Sequence, residues 1–230
     1  MKNQEFLKIP SIWERILRLV YPVKCMICDE VLKEDTALYL CETCSKMLPY
    51  YRKGFCAIPR IPYINGLFAA FYYENGVDRA IQAMKFNHQP LLSRTMAWLL
   101  YREMVKEKFL PDFDIVIPVP MYRRKKHKRG YNQAELVAIK LADYLEVPVH
   151  IDNLVKIRKT RPQSSLKREG RLHNIEGSFQ VKDPALVSGK NILLVDDVVT
   201  TGTTLNTCAK ILYENGASWI FASAIAIAEK

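Results

Sequence analysis

The sequence lacks a hydrophobic run long enough to cross a membrane, and its first residues do not predict a leader that would direct secretion. Its longest strongly apolar stretch, residues 219–228, is shorter than the roughly 20 residues that a membrane-spanning helix needs. Near the N-terminus, charged residues between Glu5 and Arg18 interrupt the apolar ones, so no signal-peptide pattern forms. Internal repeats and low-complexity tracts are absent as well. These absences argue against membrane and secreted proteins, and we expect a cytoplasmic protein without a membrane span.

Cysteines are few, and disulfides are not expected to explain them. The 230 residues include six cysteines, and disulfides rarely persist in the cytoplasm. Four of them form a C-x2-C-x12-C-x2-C pattern, which comprises Cys25, Cys28, Cys41 and Cys44. Each C-x2-C turn can direct two thiolates at one ion, and a hairpin over residues 31–40 would bring the two turns together. The pattern predicts a structural zinc ion with four sulfur ligands; disulfides and unrelated buried thiols are the alternatives.

Negative charge is too sparse to balance the positive charge. The chain has 34 lysines and arginines against 24 aspartates and glutamates, a net charge of +10. Residues 121–171 hold 14 of the basic and 5 of the acidic residues, so almost the whole excess lies there. We expect an anion to meet the protein in this segment. Three interpretations stay open, because charge alone does not separate a solvated basic loop, a polyphosphate site and a contact with a nucleic-acid backbone.

Strands and helices alternate along the chain from residue 66 onward. Strands are predicted over residues 67–73, 113–119, 191–195 and 217–228, with short ones near 147–150 and 154–158. Helices are predicted over residues 76–86, 91–108, 132–144 and 203–215. The polar, basic segment 159–178 is expected to form a long mobile loop. The alternation predicts an α/β domain with a parallel sheet over residues 62–230, preceded by an N-terminal helix over 1–20 and a zinc module over 21–60.

Residues 192–204, ILLVDDVVTTGTT, carry the most specific chemistry. A hydrophobic strand leads into Asp196 and Asp197, then into a turn of threonine and glycine that opens a helix. The backbone N–H groups and hydroxyls of such a turn suit a phosphate dianion, and Gly202 would let the backbone approach the phosphate closely. The two carboxylates would repel phosphate and instead suit the vicinal hydroxyls of a ribose, directly or through Mg²⁺. The alternative is a structural strand–turn–helix corner. The predicted phosphate-binding residues are Thr200, Thr201, Gly202, Thr203 and Thr204.

This stretch resembles the 5-phosphoribosyl-1-diphosphate (PRPP) motif of the type I phosphoribosyltransferases. Together with the cysteine pattern, it makes the chain similar to the ComF family, which is associated with natural competence and DNA uptake in bacteria. The resemblance covers roughly residues 25–230, and it departs in one place: many relatives have a further C-x2-C pair where Cys56 stands alone, so a second zinc site is not expected. Other residues that match the family are Val119, Pro120, the run 129–134 (RGYNQA), Lys159, Thr160, Gln163, Arg171, Asn174 and Phe179.

The resemblance implies a type I phosphoribosyltransferase-like parallel sheet flanked by helices, preceded by a small zinc-ribbon-like module. It implies structural zinc, Mg²⁺ bound together with PRPP, and Asp196 and Asp197 as ribose and magnesium ligands. Asp197 is the expected catalytic proton acceptor when a nitrogen nucleophile displaces pyrophosphate from the sugar. The implied pyrophosphate loop contains Arg123, Arg124 and Arg129, and the implied flexible loop contains Lys159, Gln163 and Arg171.

Two functions from different classes follow from these residues. The first is a PRPP-binding, phosphoribosyltransferase-like protein that acts in DNA uptake, with competence-machinery proteins as partners. The second is a competence factor that binds single-stranded DNA through its basic segment and keeps the fold without transferase turnover. A regulator that senses PRPP without turnover is a third interpretation.

Overall fold

The computed structural model describes residues 22–33, 35–57, 61–87, 89–158 and 177–228. The predicted N-terminal helix over residues 1–20 lies outside the described residues, as do Lys159, Gln163 and Arg171 of the predicted flexible loop. No helix in the described part of the chain is long and apolar enough to cross a membrane.

A four-stranded parallel sheet forms the centre of the α/β domain. Its strands are β1 (Gly66–Tyr72), β2 (Ile115–Pro118), β5 (Asn191–Val199) and β6 (Trp219–Ile227). Their order is β1-β6-β5-β2, and every neighbouring pair is parallel. All four residues of β2 are buried, as expected of a strand covered on both faces. The predicted α/β fold with a parallel sheet is confirmed. Two short strands, β3 (Leu154–Lys156) and β4 (Phe179–Val181), pair antiparallel beside it.

Helices cover both faces of the sheet. The described helices are α1 (Glu42–Lys46), α2 (Val77–Phe86), α3 (Leu92–Met104), α4 (Arg123–Arg129), α5 (Gln133–Leu145) and α6 (Thr203–Glu214). Alternate residues of β5 face opposite layers, as the two-residue period of a strand requires. Leu193 and Val195 join the core formed with α2, α3 and α5, whereas Ile192 and Leu194 join the core formed with α6 and the β3–β4 pair.

Several local elements differ from the sequence-based predictions. Strand β5 continues through the two aspartates to Val199 instead of ending before them, because β6 pairs with it along this whole length. The expected basic loop over residues 123–129 is helix α4, which ends where Gly130 adopts a φ of +90°. The strand predicted near residues 147–150 is reduced to one bridge between Val149 and Val116. Strand β4 was not predicted because its three residues are too few to establish a period.

The cysteine module packs directly against the α/β domain. The backbone N–H of Tyr39 donates to Thr95 Oγ1 of α3 at 3.0 Å. At the start of α2, a Cβ added to Gly76 would lie 2.6 Å from Ile27 Cγ2, so only glycine allows this approach. No hairpin forms among described residues 31–33 and 35–40; instead Val31 bridges Lys24. Helix α2 therefore begins at the cysteine module.

Candidate functional site

The four predicted metal ligands come together in the cysteine module. The sulfur atoms of Cys25, Cys28, Cys41 and Cys44 all lie within 4.8 Å of one another, and Cys28 and Cys41 Sγ are 3.8 Å apart. Zn–S distances of about 2.3 Å in a tetrahedral site place sulfur ligands about 3.8 Å apart. Burial opposes ionisation of Cys25, yet backbone N–H groups of Cys28 and Cys41 lower its pKa to about 7, whereas burial and the neighbouring thiols raise the pKa of Cys44. The number of sulfur atoms and the distances between them fit one tetrahedral zinc ion.

The two aspartates are consecutive residues of central strand β5, and Asp197 forms an ion pair with a lysine of α2. Lys85 Nζ is 2.9 Å from Asp197 Oδ1, and the two side chains are 22% and 13% exposed. The backbone N–H of Asp197 donates to Asp196 Oδ1 at 2.8 Å. Burial, and then the neighbouring charge of Asp197, raises the pKa of Asp196 to about 7. One carboxylate of the pair is thus neutralised by an ion pair, and the other resists ionisation.

A cleft of about 680 Å³ opens above this pair. It is strongly basic, because six lysine and arginine side chains line it against two aspartates. Partial burial lowers the pKa of Arg129 and Lys156. Anions that enter would meet these cations in a partly desolvated setting, where charge interactions are strengthened. Its polar lining side chains are Lys85, Arg124, Lys125, Lys128, Arg129, Asn132, Gln133, Lys156, Asp196, Asp197 and Thr204.

The RGYNQ residues build the wall of this cleft mainly through contacts with α2. Tyr131 Oη and Gln133 Nε2 both donate to the carbonyl of Met84, at 2.6 and 3.0 Å. Arg129 donates to Gln133 Oε1 at 2.6 Å, and its guanidinium lies 5.3 Å from the centre of the Phe86 ring. The predicted pyrophosphate residue Arg129 thus lines the cleft while it also fixes the end of α2.

The threonine–glycine corner joins β5 to α6. Thr201 and Thr203 hydroxyls are 2.9 Å apart, and Gly202 adopts a φ of +74° at the N-cap of α6. A Cβ on Gly202 would lie 2.6 Å from Ile61 Cγ2. Glycine is therefore required by the packing of Ile61 and by the backbone conformation, in addition to the expected approach of a phosphate. Of the five predicted phosphate-binding residues, Thr204 lines the cleft.

Replacing Gly202 with alanine is expected to destabilise the protein by about 2–4 kcal/mol, because strain from the positive φ adds to a clash with Ile61. Gly189→Ala is the matched control: Gly189 has a φ of +69° but no atom within 4 Å of an added Cβ, and it should cost about 1 kcal/mol. Urea unfolding of both variants measures the difference. Equal losses of stability in the two variants would show that the contact with Ile61 adds nothing to the effect of the positive φ.

Asp196→Asn is expected to stabilise the folded protein at pH 8 by on the order of 2 kcal/mol. The folded-state pKa of about 7 lies above the ordinary value of 3.8, so ionisation costs more in the folded state than in the unfolded state. The destabilisation of the folded state by ionised Asp196 is absent below about pH 4, grows as the pH rises, and reaches its full value above about pH 7. Thermal unfolding from pH 4.5 to 8 should therefore show a gain that shrinks in acid. Asp112→Asn, at an exposed position, is the control; a gain independent of pH would contradict the assignment.

The cleft also contains residues that the sequence did not reveal. Lys85 and Lys156 were not predicted, because each reaches the aspartates only through the tertiary fold. Arg123 was predicted to belong to this site, but it lines a neighbouring concave surface of about 620 Å³ instead. The apolar faces of α2 and β3 carry no signal that could have marked the two lysines.

Comparisons with known proteins agree with both parts of the structure. Residues 129–230 match the family model of the phosphoribosyl transferase domain, and residues 16–64 match that of a double zinc ribbon domain. The chain is 32% identical to competence protein F of Haemophilus influenzae over 206 residues, which cover 84% of this chain and 87% of that protein. It is 26% identical to competence protein ComFC of Bacillus subtilis over 234 residues, 86% of this chain and 91% of that protein.

Among solved structures, a purine phosphoribosyltransferase from Pyrococcus horikoshii superimposes with a TM-score of 0.36 and 16% identity, over 57% of this chain and 70% of that one. The zinc-ribbon match is to a double module, whereas the described residues contain one group of four clustered thiols. Cys56 lies apart from that group, with its Sγ 3.7 Å from the carbonyl of Leu67.

Proposed function

Since the chain belongs to the ComF family of competence proteins, we propose that its cleft binds PRPP and that the protein acts in DNA uptake in the cytoplasm. The proposal rests mainly on one observation. Asp196 and Asp197 line the same cleft as basic side chains from α2, α4 and β3. A ligand that suits this arrangement has both a diol and several negative charges. PRPP has both, with a ribose diol between a 5-phosphate and a 1-diphosphate.

Charge and hydrogen bonding indicate which residues would contact each part of PRPP. The aspartates repel phosphate, so they take the ribose hydroxyls as hydrogen-bond acceptors. The backbone and hydroxyls of the corner at residues 200–204 take the 5-phosphate at the start of α6. Arg124, Lys125 and Arg129 take the 1-diphosphate, because these cations line the cleft. The domain from residue 62 onward would thus supply the whole binding site.

Two metal ions belong to this proposal. The four-thiol cluster of the module at residues 21–60 would hold structural zinc, which has no coordination position left for chemistry. Magnesium commonly binds one or two protein carboxylates together with substrate phosphates. Asp196 and Asp197 fit that role only with a phosphorylated ligand present, since Asp197 Oδ1 already contacts Lys85. When bound, the ion would neutralise charge on the diphosphate.

The same geometry supports phosphoribosyl transfer. A nitrogen nucleophile would form a bond to C1 of the ribose as the bond from C1 to the diphosphate breaks, and pyrophosphate would leave with the electron pair. The cationic wall stabilises the negative charge that develops on the leaving group. The nucleophile's proton goes to a carboxylate. Sequence alone favoured Asp197 for this role, whereas the Lys85 contact and the raised pKa of Asp196 favour Asp196.

A single-stranded DNA site is the second candidate, and one observation favours it. Helix α4 carries the sequence RRKKHKR, and none of its residues is buried. Arg123, Arg124, Lys126 and His127 line a concave surface of about 620 Å³ beside the PRPP cleft. A phosphate backbone that binds there would release counterions, so the affinity would fall steeply with salt.

Isothermal titration of the wild type with PRPP and Mg²⁺, and separately with a short single-stranded oligonucleotide, tests both candidates. We expect saturable PRPP binding and a PRPP-dependent rise in melting temperature. Arg123 and Lys126 line the neighbouring surface but not the cleft, so oligonucleotide binding that weakens in Arg123→Ala/Lys126→Ala, with PRPP binding largely kept, would support the second site. A folded protein that binds the oligonucleotide but not PRPP would contradict the first proposal.

A further inference from the structure

Lys85 occupies an unusual position for a lysine at the end of a helix. Its ammonium lies 2.9 Å from Asp197 Oδ1, its side chain is 22% exposed, and it lines the cleft. An ammonium group has three N–H donors, and the contact with Asp197 uses one of them. The remaining donors are therefore available to oxygen atoms of a ligand in the cleft.

The surrounding hydrogen bonds hold Lys85 in place from both sides. The preceding residue, Met84, accepts from Tyr131 Oη and Gln133 Nε2. The following residue, Phe86, lies under the guanidinium of Arg129. Gln133 is 1% exposed, so its hydrogen bond to the Met84 carbonyl is shielded from water, whereas the Phe86 ring is 68% exposed. A lysine is ordinarily costly to order because of its rotamer freedom, and here the backbone that carries it is fixed in advance.

We propose that Lys85 is a ligand-binding residue that bridges Asp197 to the diphosphate of the bound sugar phosphate. One donor stays on the carboxylate, and another contacts a diphosphate oxygen. The ribose and its leaving group are thereby held in one orientation. Tyr131 acts as a positioning residue, because it reaches the ligand only through the backbone of α2. This inference rests on the proposed function, since it requires a ligand with a diphosphate beside the diol.

Calorimetry with PRPP and with ribose 5-phosphate, which lacks the diphosphate, tests the bridge. In Lys85→Met, the PRPP affinity should fall about tenfold to a hundredfold, as for a lost hydrogen bond between charged groups. The affinity for ribose 5-phosphate should change little. Lys85→Arg should retain part of the preference for PRPP, and Tyr131→Phe should show a smaller loss in the same direction. Lys140→Met, which removes an exposed lysine 3.0 Å from Asp143, should bind both ligands normally.

The ratio of the two affinities distinguishes a bridge from a structural role. If Lys85→Met weakened both ligands equally, Lys85 would merely maintain the site, and the inference would be overturned. Unchanged PRPP affinity in a folded Lys85→Met protein would overturn it as well. If the wild type bound ribose 5-phosphate no more weakly than PRPP, the diphosphate would have no partner, and the bridge would again be wrong. A wild type that bound neither ligand would instead refute the proposed function itself.

Discussion

Cys44→Ser is expected to abolish zinc binding and to lower the stability of the protein by at least about 3–5 kcal/mol, the range expected when a structural metal site is lost from a small module. The cluster lies in a core of its own, formed by three buried cysteines with Ile27, Leu32 and Leu40 packed against them. That core is too small to compensate for the loss of its metal. Metal content by mass spectrometry and urea unfolding measure the two effects.

The damage should extend into the α/β domain. Ile27 packs against Gly76 at the start of α2, and Lys85 of the cleft lies in the last turn of this helix, which ends at Phe86. A disordered module would therefore release one end of α2. Hydrogen exchange should therefore rise in α2 after chelation of zinc. Cys56→Ser is the matched control, because Cys56 lies outside the cluster. It should keep one zinc per chain; zinc loss in that variant, or full stability in Cys44→Ser, would refute the structural role.

The double variant Asp196→Asn/Asp197→Asn should lose PRPP binding by at least about a hundredfold. Each ribose hydroxyl would exchange a carboxylate, which accepts hydrogen bonds through two oxygens, for a neutral amide, which accepts through one oxygen and presents an N–H₂ donor in place of the other. Lys85 would also lose its partner, which leaves a partly buried ammonium unpaired. Isothermal titration of folded protein measures the loss directly.

Measuring the stability of the variants distinguishes a loss of PRPP binding from a loss of folding. Asp196→Asn alone should be at least as stable as the wild type at pH 8, so weaker binding in that variant cannot arise from a damaged fold. Asp112→Asn changes the net charge by the same amount as Asp196→Asn alone, at an exposed position outside the cleft. It should bind PRPP like the wild type. Loss of affinity in Asp112→Asn would point to net charge rather than to the acidic pair.

The parts of the structure that follow from local sequence were predictable. The cysteine spacing brings two tight turns to one point, and the continuous apolar run at residues 192–195 of β5 predicts a strand buried on both faces. The corner at residues 200–204 is likewise a short-range pattern, because strand, turn and helix follow one another directly. A family resemblance then extended these local patterns to a whole domain.

What could not be predicted depends on contacts between distant segments. Lys85 is an ordinary residue of an amphipathic helix until α2 packs with its end beside β5. Gly202 looked like a glycine for phosphate alone, yet Ile61, a residue far from it in sequence, also requires that no Cβ be present. The basic segment 123–129 was expected to be a loop, but its residues form a helix that ends at Gly130. Tyr131 and Gln133, which follow directly, donate hydrogen bonds to Met84 of α2.

A crystal structure of the protein with bound PRPP would show where each part of the ligand lies. We expect the 5-phosphate at the N–H groups of the corner at residues 200–204, the ribose hydroxyls at Asp196 and Asp197, and the diphosphate beside Lys85 and Arg129. PRPP bound elsewhere on a fully folded chain, or a corner without ligand at saturating PRPP, would contradict the proposed function.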